Sequence, residues 1–185
     1  IRELLDIREG AILEGKDIVM VAGVITDIAR VKRSMEKAGS ALASLAASID
    51  PLEELPFEIN STLLPTGEIS DSASPVLRRL RKQARTLRAA ILEKLSGIMD
   101  GLKKQSMVME DLITIRNERY VIPLRHDYSS HIKGITHDYS RSNKTAYVEP
   151  LAVVDENNTL NQIRSDIKEE EIGILRDLTS QILAH

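Results

Sequence analysis

The residues from Ser140 to Lys144 are the best equipped for chemistry in this chain. Ser140, Arg141, Ser142, Asn143 and Lys144 bring hydroxyls, an amide and two cations into one turn. Such groups suit phosphate oxygens, holding a nucleic-acid backbone without reading its bases. The same composition also suits an ordinary solvent-exposed hairpin, and the residues by themselves leave both readings open. Arg125, which closes a strand-like run, and Lys133, within the next one, complete the set of candidate phosphate contacts. Between Leu112 and Pro150 the cations Arg116, Arg119, Arg125, Lys133, Arg141 and Lys144 outnumber Glu118, Asp127, Asp138 and Glu149.

Other chemistries fare worse. His126, His131, His137 and Asp138 are close in sequence, but their spacing fits no common metal pattern, so no metal site is expected. Gly97 to Lys104 has neither the glycine spacing nor the Lys-Ser/Thr pair of a phosphate-binding loop, and no strand leads into it. No nucleophile elbow, triad or placed carboxylate pair is present, and no catalytic residue is expected in these residues.

A small β element must position the cationic turn. Leu112–Arg116 and Tyr120–Arg125 read as strands joined around Asn117-Glu118, followed by strands at Ile132–Tyr139 and Lys144–Val148, a small antiparallel meander. Pro123 lacks a ladder donor, which predicts that its strand lies at an edge or bulges there. Long helical patterns flank this element, over Pro75–Met109 and Leu151–His185. Ser74-Pro75 supplies an N-cap and a proline at the first helical position. Leu77, Leu80, Ala84, Leu87, Ile91, Ile98, Leu102 and Met109 form a near-heptad seam, matched by Val153, Leu160, Ile163, Ile167, Ile174, Leu178 and Ile182, so the two helices are expected to pair antiparallel.

Pairing of that kind brings Arg88 and Lys94 near Glu169, Glu170 and Glu171. Gly97 and Gly101 inside the first helix predict the close approach of a neighbouring helix, or else a bend. Upstream, Ile18, Val21, Ile25, Ile28, Val31 and Met35 mark one buried helical face that Gly39 ends. A short helix over Ser40–Ile49 follows, and Pro65-Thr66-Gly67 has turn chemistry. The expected fold is mainly α with a small antiparallel β element. It divides into a helical core segment (1–70), an outgoing long helix (71–111), the β-rich element (112–150) and a returning helix (151–185).

Composition sets bounds on this scheme. Apolar residues make up 42% of 185, yet there is one Phe and no Trp, so the core must be aliphatic. The net charge of −3 excludes nothing, because a nucleic-acid surface needs local basicity only. The absence of Cys rules out disulfides and fits a reducing cytoplasm. Ile18–Ile25, the longest apolar run, is too short to span a bilayer, so no membrane partner is expected. A start at Ile1 and a stop inside a helical pattern suggest part of a longer protein.

Several separated motifs, in order, resemble the type-two MutS family, paralogues of mismatch-repair MutS. They are Ile113-Thr114-Ile115-Arg116-Asn117-Glu118-Arg119-Tyr120-Val121-Ile122-Pro123, then Gly134-Ile135-Thr136-His137-Asp138-Tyr139-Ser140, then Thr145-Ala146-Tyr147-Val148-Glu149-Pro150 with Asn157-Asn158. Asp71-Ser72-Ala73-Ser74-Pro75 resembles the family's entry into its lever helix. The resemblance implies a helical core, two levers and a β-rich clamp at their tips, with a dimerising ATPase using ATP and Mg, and often an Smr endonuclease domain, outside this chain.

It further implies binding of branched or duplex DNA and suppression of recombination, or, for some members, action on ribosomes and structured RNA. The clamp tip would hold DNA through Arg125, Lys133, Ser140, Arg141, Ser142, Asn143 and Lys144. A helical arm for a protein partner is the other class of reading. The family usually has Ser-Gly-Ala-Thr where this chain has Ser142-Asn143-Lys144-Thr145. Asn tolerates the left-handed backbone that a Gly would supply.

Overall fold

The computed structural model describes residues 10–38 and 40–184. Packing divides the chain into two units. One runs as far as Arg78 and is taken up again at Lys168; the other is Arg79–Ile167.

The first unit is helical. It holds α1 (Gly15–Lys37), α2 (Ser40–Ala46) and α3 (Glu54–Thr62), together with the start of α4 (Pro75–Lys103) and the end of α5 (Val154–Leu183). The expected α1 face holds in its first half, where Ile18, Val21 and Ile25 are buried, and then turns onto Ala29. Ile28 and Val31 are instead exposed, in line with Met20 and Val24. From Ile25, a step of three and a step of four diverge around the helix, and here the smaller Ala29 faces inward. Gly39, expected to end α1, and His185, expected in the returning helix, lie outside the described residues. Ser74 caps α4 as the sequence predicts. Its Oγ accepts the N–H groups of Val76 (3.1 Å) and Leu77 (3.3 Å) and donates to Glu170 at 2.6 Å. In the Pro65-Thr66-Gly67 turn, the Gly67 N–H reaches the Leu64 carbonyl at 2.8 Å, and Gly67 takes φ +85°.

The second unit joins α4 and α5 residues to a four-stranded antiparallel sheet of β1 (Thr114–Arg116), β2 (Arg119–Arg125), β3 (Gly134–Tyr139) and β4 (Thr145–Pro150). Its order is β1-β2-β4-β3, so the expected meander is corrected. β2 and β3 run parallel on either side of β4, linked by a crossover through the 3₁₀ turn His126–His131. Burial explains the order. β2 and β4 are almost wholly buried and pair with each other, whereas β3 is largely exposed and takes an edge.

Pro123 is therefore on a central strand rather than an edge. It lies beyond the β1 pairing, and its carbonyl faces the short segment at Val108, where it accepts the Met109 N–H at 3.0 Å. β1 and β2 are joined by the two-residue turn Asn117-Glu118, with φ of +49° and +64°, which matches the right-handed strand twist.

One face of this sheet presents Tyr120, Ile122, Leu124, Ala146 and Val148 to Ile91, Leu95 and Met99 of α4 and to Val153 and Leu160. The expected seam through Ile98, Leu102 and Met109 shifts accordingly. A sheet laid along the helix selects residues four apart, so Leu95 and Met99 are buried, Ile98 and Leu102 are half-buried, and α4 ends at Lys103 with Met109 outside it. The expected charge register changes with it: Lys94 pairs with Glu156, and Glu170 with Ser74. Gly97 and Gly101 point away from this core, where an added Cβ would meet no described residue within 4 Å, so neither glycine admits a close neighbour among the described residues. No described helix is long and apolar enough to cross a membrane.

Candidate nucleic-acid interface

The cationic turn is built by the β3–β4 hairpin. Ser140 donates its N–H to the Thr145 carbonyl at 2.9 Å, and its Oγ accepts the Thr145 N–H at 3.1 Å. Asn143 N–H closes onto the Ser140 carbonyl at 2.8 Å, and Asn143 takes φ +54°. Here Asn fills the left-handed position, as the sequence comparison with the family's glycine anticipates. The Lys144 carbonyl accepts the His126 N–H at 2.9 Å, tying the turn to the end of β2. Register then sets Arg125 opposite Thr145.

Arg125, Ser140, Arg141, Ser142, Asn143 and Lys144 thus gather at one end of the sheet. Lys133 does not join them. It precedes β3 at the opposite end, where its carbonyl accepts the Leu151 N–H at 2.9 Å, about 20 Å away at 3.3 Å per strand residue.

Ion pairing separates two classes of cation. Arg119 bonds Glu149 at 2.8 Å, Arg116 meets Asp138 at 3.3 Å and stacks 4.0 Å from the Tyr147 centroid, and Lys103 reaches Asp111 at 2.5 Å. The hydrogen bond to Asp111 holds the Lys103 ammonium above its ordinary range, and the bond from Lys94 holds the Glu156 carboxyl below its own. Arg125, Lys133, Arg141 and Lys144 are exposed and make no ion pair among the described residues. Arg125 lies only over the Tyr128 ring, at 5.5 Å. Cations without carboxylate partners keep their charge available to an incoming anion.

Beside this end of the sheet opens a groove of about 700 Å³. Arg125, Asn143 and Lys144 line it together with Asp127, Val108 and Met109. The three histidines are dispersed. His126 tilts against Tyr139 and His131 against Tyr128, while His137 Nε2 lies 2.6 Å from Glu149.

A feature not assigned from the sequence is the buried group around Glu149. Its carboxylate is wholly buried and takes bonds from Arg119 and from Asn157 Nδ2, each at 2.8 Å, besides the His137 contact. Asn157 in turn clasps Tyr120, accepting its N–H at 3.1 Å and donating to its carbonyl at 3.2 Å. Arg119 also bonds Asn158. This network joins β2, β3, β4 and α5, holding in register the hairpin that presents the cations. Its sequence signal was a glutamate inside an apolar strand, followed by an Asn-Asn pair.

No family model matches the chain. Curated relatives do. The Endonuclease MutS2 of Geobacillus thermodenitrificans is 37% identical over 182 residues, covering 95% of this chain and 23% of the relative. The Endonuclease MutS2 of Pelotomaculum thermopropionicum is 32% identical over 180 residues, or 96% and 23%. The Putative endonuclease MutS2 of Bacillus subtilis is 33% identical over 178 residues, or 93% and 23%. The chain spans under a quarter of the length of these relatives. Across nearly all of its residues, the chain is homologous to a segment of the Endonuclease MutS2 proteins.

Proposed function

We propose that this chain is the core, lever and clamp part of a type-two MutS protein that encloses branched or duplex DNA and restrains recombination. Residues 1–70 serve as core, 71–111 and 151–185 as levers and 112–150 as clamp. ATP and Mg bind elsewhere in a homodimeric parent, which also carries the endonuclease activity named for the relatives. The observation that carries this reading is the cluster of exposed Arg125, Arg141 and Lys144 at one sheet end, which make no ion pair among the described residues, with Ser140, Ser142 and Asn143 among them. Lys133 makes a separate backbone contact from the other end.

No step here is catalytic. Each cation neutralises a phosphate and releases counterion, which steepens the salt slope by about 0.9 per contact. Fluorescence anisotropy of a labelled duplex and of a four-way junction, between about 50 and 200 mM salt, tests the assignment. Replacing Arg141 and Lys144 with Glu should weaken binding and flatten the slope by about 1.8. Unchanged binding would remove the clamp-tip assignment. Competition by ribosomes at equal strength would shift the ligand to structured RNA.

A further inference from the structure

The geometry points to the groove beside the cationic turn as a receptor for one unpaired nucleotide of DNA, with preference for a base that carries an exocyclic amino group. This rests on the backbone-binding reading above and adds what kind of DNA the site selects.

Three observations carry it. The first is size: about 700 Å³ lies within the range of small-ligand sites, takes a nucleotide and admits no double helix. The second is the arrangement of charge. Arg125 from the end of β2 and Asn143 and Lys144 from the turn line the groove, so a phosphate held by these cations brings its own sugar and base to the opening.

The third is the remaining wall. Val108 and Met109 offer aliphatic and thioether surface, with Met109 46% exposed. A paired base inside a duplex hides its faces, whereas an unstacked base can lie against such surface, and a methionine sulfur meets an aromatic ring favourably. Met109 is held there by the bond from its N–H to the Pro123 carbonyl.

Asp127 sets the base preference. Asp127 lines the groove, is exposed and makes no ion pair among the described residues. It repels a phosphate and accepts hydrogen bonds from an amino group. Cytosine, adenine and guanine carry such a group and thymine does not. A site built only for the backbone would have no use for a carboxylate among its cations.

The test measures binding of the chain to a labelled duplex bearing a single cytosine bulge, the same duplex with a thymine bulge, and the unbulged duplex. The cytosine bulge should bind about five-fold more tightly than the thymine bulge, the lower end for a polar base contact. Asp127→Ala should abolish the ratio between bulges, raising affinity for the thymine-bulged and plain duplexes while the cytosine bulge loses its added contact. Asp127→Asn, which keeps one acceptor oxygen, should retain part of the ratio. 2-Aminopurine at the bulge should change fluorescence on binding.

Equal binding of bulged and plain duplex would overturn the nucleotide site and leave the backbone reading standing. A bulge preference indifferent to both base and Asp127 would also overturn it, since flexible DNA would then be the feature read. Loss of binding to all three duplexes in the unmodified chain would refute the backbone reading and this inference together.

Discussion

Replacing Glu149 with Ala should destabilise the second unit by about 3 kcal/mol, because it removes one side of a buried ionic group. The carboxylate is wholly buried and serves Arg119, Asn157 and His137 at 2.8, 2.8 and 2.6 Å. Breaking a buried pair from one side costs about 3–5 kcal/mol, mostly from the charge left behind. Arg119 keeps 23% of its side chain exposed and can recover part of its hydration, which places the change at the lower end. Asn157 cannot, since it is wholly buried and its Nδ2 retains only the Tyr120 carbonyl.

Glu149→Gln preserves an acceptor for Arg119 and Asn157 and loses the charge, so it should cost roughly half as much. Urea unfolding followed by circular dichroism reads both variants against the unmodified chain. A loss under about 1 kcal/mol for Glu149→Ala would refute the claim that this network holds the hairpin in register.

Other expectations concern the helices and the turn. Gly97→Ala and Gly101→Ala should each raise stability by about 0.5–1 kcal/mol in the same unfolding assay, since each Cβ enters open space on a helix. Asn143→Gly should change stability by only a few tenths of a kcal/mol, whereas Asn143→Val should cost about 1–2 kcal/mol, the penalty of a branched side chain at φ +54°. The Lys94–Glu156 pair contributes at most about 1 kcal/mol, as a largely exposed pair. Because Lys94 lowers the Glu156 carboxyl below its ordinary value, that contribution is present above the unfolded-state value and is lost as pH falls through the folded one. Lys94→Ala should therefore differ from the unmodified chain at neutral pH and converge with it in acid, as measured by denaturation midpoints.

Local chemistry made much of this protein readable from its residues. Ser74-Pro75 specifies a helix start because a hydroxyl cap and a proline act within one turn of chain. Asn117-Glu118 and Asn143 specify turns because a positive φ is a property of single residues. The short apolar, β-branched runs around Val121 and Val148, bounded by turn residues, marked the strands, and the order of the motifs pointed to the relatives. Leu95 and Met99 were missed because a heptad seam presumes a helical partner, and only packing revealed a sheet face along α4.

Strand order, too, came from tertiary structure. Pairing neighbours in sequence is the simplest meander, but burial drew β4 between β2 and β3, and that choice set Arg125 beside the turn that carries Arg141 and Lys144 and away from Lys133. The Glu149 network joins residues distant in sequence, from Arg119 to Asn157, and no spacing rule links them. Residue types alone determined where the chain could turn, cap and carry charge. Which charges share a surface was decided only when non-local apolar burial chose the neighbours of each strand.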